Sequence, residues 1–219
     1  MTSLRLGIDE AGRGCVLGPM VFGACVIEEQ DVDLLRSMGT KDSKRLSAKR
    51  RRSLRVELEA TVIAWRTVAI TAEVIDQRSL NDIGKDTIID LVCELRPDVV
   101  VVDAPVPPRG IPAYQGELER RLRERGMPSV QVIAENKADD TYPCCAAASI
   151  FAKTTRDERL VELAEQIGID LGSGYPGDPR TIAFLKDSWQ RDQNFPAWVR
   201  TKWETVQRIM AESAQGRLF

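Results

Sequence analysis

The carboxylates that could do chemistry in this chain stand where short apolar runs end. Asp9 and Glu10 close the run from Leu4, Asp103 closes Val99 to Val102, and Asp139-Asp140 falls just after Ser129 to Ala134. If these runs are neighbouring parallel strands, their carboxyl ends share one edge of a sheet, where open α/β sheets bind ligands. Carboxylates gathered there repel one another. A hard divalent cation relieves that repulsion, and an oxygen-only donor set suits magnesium or manganese. Successive strand residues face opposite ways. Asp9 and Glu10 therefore reach one site only if the chain bends there, and Gly12 and Gly14 permit a bend. A single Asp after a strand is ordinary turn chemistry; recurrence at three strand ends favours a site.

Composition removes most alternatives. None of the 219 residues is histidine. That excludes Ser-His-Asp triads, Cys-His pairs, HExxH metal sites and imidazole acid–base catalysis. The five cysteines, Cys15, Cys25, Cys93, Cys144 and Cys145, form no CxxC, so a zinc site is not expected. Their odd number and lack of pattern suggest a reducing compartment. Residues 1–10 hold no apolar signal core, and no apolar run reaches the ~18 residues of a membrane span. A soluble cytoplasmic monomer is the expectation.

These residues must be held by a definite set of elements. Leu4 to Asp9 and Met20 to Glu28 read as two strands linked closely enough to be antiparallel. Ser47 to Ala60 has helical spacing, and Thr61 to Ile70 alternates as a third strand. Asp86 to Arg96 is a helix stopped by Pro97, and Val99 to Val102 is a buried strand. Ala113 to Arg125 is a helix, Ser129 to Ala134 a fifth strand, and Tyr142 to Ile167 a long helix. Asp178-Pro179 reads as N-cap and first residue of another helix, and Pro196 to Ala214 as the last. The set implies an α/β protein with a mixed five-stranded sheet flanked by helices. Residues 1–168 would form the catalytic domain and 169–219 a helical C-terminal cap.

Two further features bear on ligands. The turn Gly12-x-Gly14-x-x-x-Gly18 is one residue too long for a dinucleotide fingerprint, and a strand follows where that motif needs a helix. It suits backbone N–H groups and Arg13 presented to a phosphate. The net charge of -2 argues weakly against nucleic acid, but it hides a basic run. Lys41, Lys44 and Arg45 precede a helix carrying Lys49 to Arg52 and Arg55, with Asp42 the one acid among them. A solvated helix face is the usual reading of such a run. Lys41 and Lys44, in the preceding loop, are better placed for a phosphate.

Several blocks together resemble one family. Gly7-Ile-Asp-Glu-Ala-Gly-Arg-Gly14 with Gly18-Pro19, Asp42-Ser-Lys44, Val101-Val-Asp-Ala104, Lys137-Ala-Asp139, Ala147-Ala-Ser-Ile-Phe-Ala-Lys153 with Arg156-Asp157, and Gly172-Ser-Gly-Tyr-Pro176 with Asp178-Pro179 occur in family order over nearly the whole chain. They resemble ribonuclease HII, of the type 2 ribonuclease H family, in its archaeal and eukaryotic branch. The resemblance implies an RNase H-like fold. It implies hydrolysis of the RNA strand of RNA/DNA hybrids and incision 5′ to single ribonucleotides in duplex DNA, with 3′-hydroxyl and 5′-phosphate products. The family's metal carboxylates fall on Asp9, Glu10, Asp103 and Asp139. Two Mg²⁺ or Mn²⁺ ions, ~4 Å apart, would clamp the scissile phosphate. Its Gly-Arg-Gly loop falls on Gly12, Arg13 and Gly14 and its junction-sensing tyrosine on Tyr175; Lys44 joins these as a substrate contact. Asp140 adds a carboxylate where related sequences often carry alanine, and the loop from Ala104 to Pro112 is unusually Pro-rich.

Two other functions fit the same residues less well. One is a metal-dependent nuclease or phosphotransferase of the same fold without ribonucleotide preference; the other is a nucleic-acid binding module with structural carboxylates. The last five residues, Gln215-Gly-Arg-Leu-Phe219, resemble the short peptides that dock on DNA sliding clamps.

Overall fold

The computed structural model describes residues 3–40 and 46–215. Five strands form one sheet: β1 (Leu4–Ala11), β2 (Met20–Glu28), β3 (Ala64–Ile70), β4 (Val99–Asp103) and β5 (Gln131–Glu135). Their order is β3-β2-β1-β4-β5. β1 and β2 are antiparallel, whereas β4 runs parallel to both β1 and β5. Ile8 pairs with Val102, and Asp103 pairs with Glu135. Asp9 and Asp103 therefore stand level at the carboxyl edge of adjacent strands. The helices are α1 (Val32–Ser37), α2 (Ala48–Thr61), α3 (Ala72–Gln77), α4 (Leu80–Leu95), α5 (Ile111–Glu124), α6 (Ala138–Thr141), α7 (Pro143–Ile167), α8 (Pro179–Asp192) and α9 (Glu204–Gln215). None of the described helices is long and apolar enough to cross a membrane.

The chain divides into two compact units. One holds Met1–Ala11, Val21–Val68 and Asn81–Thr155, the other Gly12–Met20, Ala69–Leu80 and Arg156–Phe219. The expected division at residue 168 thus differs from this one: the C-terminal helices share their unit with the Gly-rich turn and with α3.

In the first unit α7 lies directly on β1 and β2. A Cβ at Gly7 would overlap the Cys144 carbonyl, and one at Gly23 would overlap the Ala148 carbonyl and lie 2.8 Å from Ala152 N. The facing stretch of α7, Cys144 to Ala148, is small and fully buried. Close packing over glycines and alanines replaces the usual layer of large side chains. Cys25, Ile27, Leu54, Leu58, Val101 and Phe151 pack in the same core cluster. Phe22, next to Gly23, points to the other face of β2, where it approaches Gly84 of α4. In the second unit Val16, Leu17, Leu160, Leu185, Val199 and Val206 form the core.

Two sequence expectations need correction. β1 continues in register to Ala11, with Glu10 opposite Phe22, so there is no bend at Asp9; the turn begins at Gly12, whose φ is +80. The last helix starts at Glu204 rather than Pro196, because Val199 bridges to Leu17 and Arg200 N–H is taken by Val16 O. Asp139 follows β5 as the sequence suggests, within the short helix α6.

Adding a methyl group at the α7 contact should destabilise the fold. Gly23→Ala is expected to lower the unfolding free energy by about 2 kcal/mol or more. Gly116→Ala, in α5 with open space around it, should raise it by about 0.5–1 kcal/mol. Denaturant titration of both variants checks the pair of opposite signs.

Candidate active site

Asp9 is buried at the edge of β1, with only 7% of its surface exposed. Its side chain bonds to Ser149 of α7, and Ser149 Oγ in turn accepts from Lys153 Nζ at 2.6 Å. The two α7 residues are one helical turn apart. Burial pushes the Asp9 carboxyl up to about 7; the charges of Asp103 and Asp139 push the same way, while the Ser149 bond opposes them. Asp139 is buried, 4% exposed, whereas Asp140 is exposed. Asp103 Oδ1 accepts from Ala138 N at 3.2 Å and so ties the end of β4 to the start of α6. Lys137, just before α6, holds a left-handed backbone at φ 57. Glu10 alternates with Asp9 along β1, yet both line one narrow cleft with Phe22, Ile88, Asp103 and Tyr114.

The structure thus brings Asp103 and Asp139 into electrostatic reach of Asp9 and lines one cleft with Asp9, Glu10 and Asp103, while Glu10 alternates with Asp9 along the strand. Among the described residues no three carboxylates or thiols stand close enough to hold an ion as they are. The chemistry of the donor set nonetheless fits a hard cation. Every candidate atom is oxygen, and Asp9 carries a charge that its surroundings disfavour until a positive partner arrives. The Pro-rich loop after Asp103 is anchored here too: Asn136 Nδ2 donates to Ala104 O at 2.7 Å and Val106 O at 2.8 Å.

The Gly-rich turn and Tyr175 belong to the second unit. Val16 N and Leu17 N both donate to Gly174 O, at 2.8 and 3.2 Å. Arg156 joins the two loops: its Nη2 donates to Cys15 Sγ at 2.9 Å and to Ser173 O. The same guanidinium lies 5.1 Å from the Tyr175 ring centre. Tyr175 keeps 42% of its surface exposed, and burial of the rest, then Cys15, raises its hydroxyl. A Cβ on Gly14 would come within 3.9 Å of Tyr175 Cε1. Asp178 caps α8 by accepting from Arg180 N at 2.9 Å and holds Ser173 N at 2.7 Å. Lys44, with Lys41, lies outside the described residues. On α2 much of the basic run is paired, Arg50 with Glu57 at 2.9 Å and Arg55 with Glu59 at 2.8 Å.

A family model described as ribonuclease HII matches residues 6–206. The chain belongs to the ribonuclease HII family. The ribonuclease HII of Archaeoglobus fulgidus is 38% identical over 94% of this chain and 96% of its own length. A crystal structure of ribonuclease H2 from Pyrococcus horikoshii superposes with a TM-score of 0.87 at 35% identity, covering 97% of this chain and 99% of that one. Ribonuclease HII in a solved complex with PCNA from Archaeoglobus fulgidus superposes at 0.81 with 36% identity, over 92% and 95% of the two chains. These likenesses agree with the five-stranded mixed sheet and its flanking helices.

Of the candidate site, the strand-end carboxylates were the part legible in the sequence. Ser149 and Lys153 were visible only as part of a motif block, and Arg200, described below, carried no signal among 31 basic residues.

The raised Asp9 carboxyl has a stability signature. The folded state binds its proton more tightly than the unfolded chain, so this group's contribution is fully present below about pH 4 and is lost as pH rises towards about 7. Without divalent ions, Asp9→Asn should therefore be more stable than wild type at pH 8, by on the order of 2–4 kcal/mol, and the gap should close by pH 4. Saturating magnesium or manganese should raise the melting temperature of wild type more than that of Asp9→Asn. Melting curves that move in parallel at both pH values would reject the assignment.

Proposed function

We propose that the chain is an endoribonuclease that hydrolyses the RNA strand of RNA/DNA hybrids and nicks duplex DNA on the 5′ side of a single ribonucleotide. The observation that carries this reading is Asp9: a buried carboxyl at the edge of parallel strands, influenced by Asp103 and Asp139, in a chain of the ribonuclease HII family. Asp9, Glu10, Asp103 and Asp139 would hold divalent ions, Mg²⁺ or Mn²⁺, two per site; Glu10 and the aspartates would have to draw inward to do so. Such ions supply a lowered pKa for water and neutralise charge on the leaving oxygen. The rest of the chemistry is plain hydrolysis. Water oxygen adds to phosphorus, the bond to the 3′-oxygen breaks, and the ends are a 3′-hydroxyl and a 5′-phosphate. With no histidine in the chain, no imidazole moves a proton.

Choice of substrate requires a group that senses the 2′-hydroxyl, which distinguishes RNA from DNA. Gly12 and Gly14 lack side chains that would keep a ribose away from their backbone, and Arg13 and Lys44 would meet phosphates. Tyr175, half exposed above Arg156, would stack on the next deoxyribose and leave no room for a second 2′-hydroxyl. The absence of a membrane-crossing helix among the described residues and the unpatterned cysteines support a cytoplasmic enzyme, which we take to be monomeric. Helix α9 runs to Gln215, and the rest of the clamp-like peptide, 216–219, lies outside the described residues. The complex of the Archaeoglobus fulgidus relative with PCNA supports docking of Gln215 to Phe219 on a sliding clamp.

A duplex with one ribonucleotide tests the main reading. Wild type plus Mg²⁺ or Mn²⁺ should make one nick 5′ to the ribonucleotide. Asp9→Asn and Asp103→Asn should bind the duplex yet cut it at least about a thousandfold more slowly. Asp139→Asn should be far worse than Asp140→Asn; the reverse order would move the ligand to Asp140. Cutting without site preference would favour a general metal nuclease.

Deleting residues 215–219 should leave cleavage of a short duplex unchanged while abolishing binding to the clamp of the same organism. Loss of short-duplex activity would instead make the tail part of the fold.

A further inference from the structure

We infer that Arg200 is a positioning residue for ribose recognition: its guanidinium fixes the plane of the Arg13–Gly14 peptide and hence the direction in which the Gly14 N–H is offered to substrate. The inference rests on the function proposed above and adds a residue which that reading does not use.

Arg200 is wholly buried, with 0% of its surface exposed. Among the described residues it forms no ion pair, although the charge of Asp76 is within its electrostatic reach. Its Nη1 donates to Arg13 O at 2.9 Å, its Nε donates to Gly18 O at 3.1 Å, and its plane lies 5.1 Å from the Trp203 ring. The Nη2 atom is buried without a partner. Burial lowers its pKa to about 10, so the group stays charged at neutral pH. A buried cation paired this way is a poor source of stability, and an apolar side chain of similar volume would avoid both the desolvation and the orphan N–H. What the guanidinium does instead is grip both ends of one loop.

The turn also closes on itself, Cys15 N donating to Gly12 O at 3.2 Å, and it is anchored further along. Arg200 N donates to Val16 O and Gly18 N to Trp198 O, each at 2.9 Å. The contact at Arg13 comes from the Arg200 side chain. Because a peptide unit is planar and trans, its C=O and N–H point in opposite directions. Holding Arg13 O to the buried guanidinium therefore turns the Gly14 N–H away from it. Gly14 is exposed and borders Tyr175, so the fixed peptide and the exposed ring stand side by side. The fork of a guanidinium can serve two carbonyls at once, whereas a lysine ammonium on its flexible stem cannot hold both in one fixed geometry.

Steady-state kinetics on the single-ribonucleotide duplex, with thermal melting of each protein, test this for wild type, Arg200→Lys and Arg200→Met. Arg200→Met should raise KM by about tenfold or more while kcat stays within about threefold, and Arg200→Lys should fall between it and wild type. A fall in kcat at unchanged KM, in step with a lost folded fraction, overturns the inference. So does a lysine variant no better than the methionine one. If Arg200→Met does not fold, Arg200→Lys against wild type decides by the same KM criterion. A wild type that cuts neither this duplex nor a long hybrid defeats the functional reading itself, which separates the two failures.

Discussion

Two glycines, Gly7 and Gly23, let α7 lie against β1 and β2 at a distance that no side chain would permit. The electrostatics of the carboxylates depend on that approach. It delivers Ser149 to Asp9 and closes Asp9 off from water. It also explains why the first turns of α7 are built from cysteine, alanine and serine. The same helix begins directly after α6, which carries Asp139, so the seating of α7 limits where that carboxylate can lie. Were the helix held off by even one methyl layer, Asp9 would be solvated, its carboxyl would titrate as an ordinary surface group, and Ser149 would not reach it.

Two of the buried charged side chains, Asp9 and Arg200, are treated in opposite ways. Asp9 sits among like charges, and its surroundings push it toward the neutral form. Arg200 sits among carbonyl dipoles and stays charged. The first arrangement is unfavourable until a cation arrives, which is what a binding site requires. The second is satisfied in geometry except at Nη2 and serves to hold backbone. Neither adds much to the stability of the fold.

How much of this could be read in the sequence follows from what kind of signal each feature leaves. Runs such as Val99 to Val102 identify buried strands, and an acidic residue at the end of each run marks the edge, so Asp9, Asp103 and Asp139 were legible. The pairing of β4 with β1 then put Asp9 and Asp103 level, while Asp139 lies beyond β5, in α6. For Glu10, the glycines downstream suggested a bend at Asp9, whereas the ladder to β2 runs on to Ala11 and fixes the alternation. The segment Pro196 to Trp203 has helical composition, but Val199 and Arg200 give their backbones to Leu17 and Val16; a tertiary partner far away in sequence overrides local preference. Arg200 left no trace, since nothing in a single sequence separates a buried arginine from an exposed one.

The contact between Arg200 and Arg13 spans 187 positions of the chain. During synthesis the Gly-rich turn therefore emerges from the ribosome early and waits for nearly the whole polypeptide before its guanidinium anchor exists. At 5–20 residues per second, that delay is on the order of 10–40 s. The strands of the first unit can pair in that interval, because β1, β2, β4 and β5 are all complete by Glu135. The turn that we assign to reading the ribose is thus among the last parts of the molecule to gain its native supports. A chain that ends before Trp198 keeps the Cys15 N to Gly12 O bond of the turn but lacks the guanidinium that holds Arg13 O.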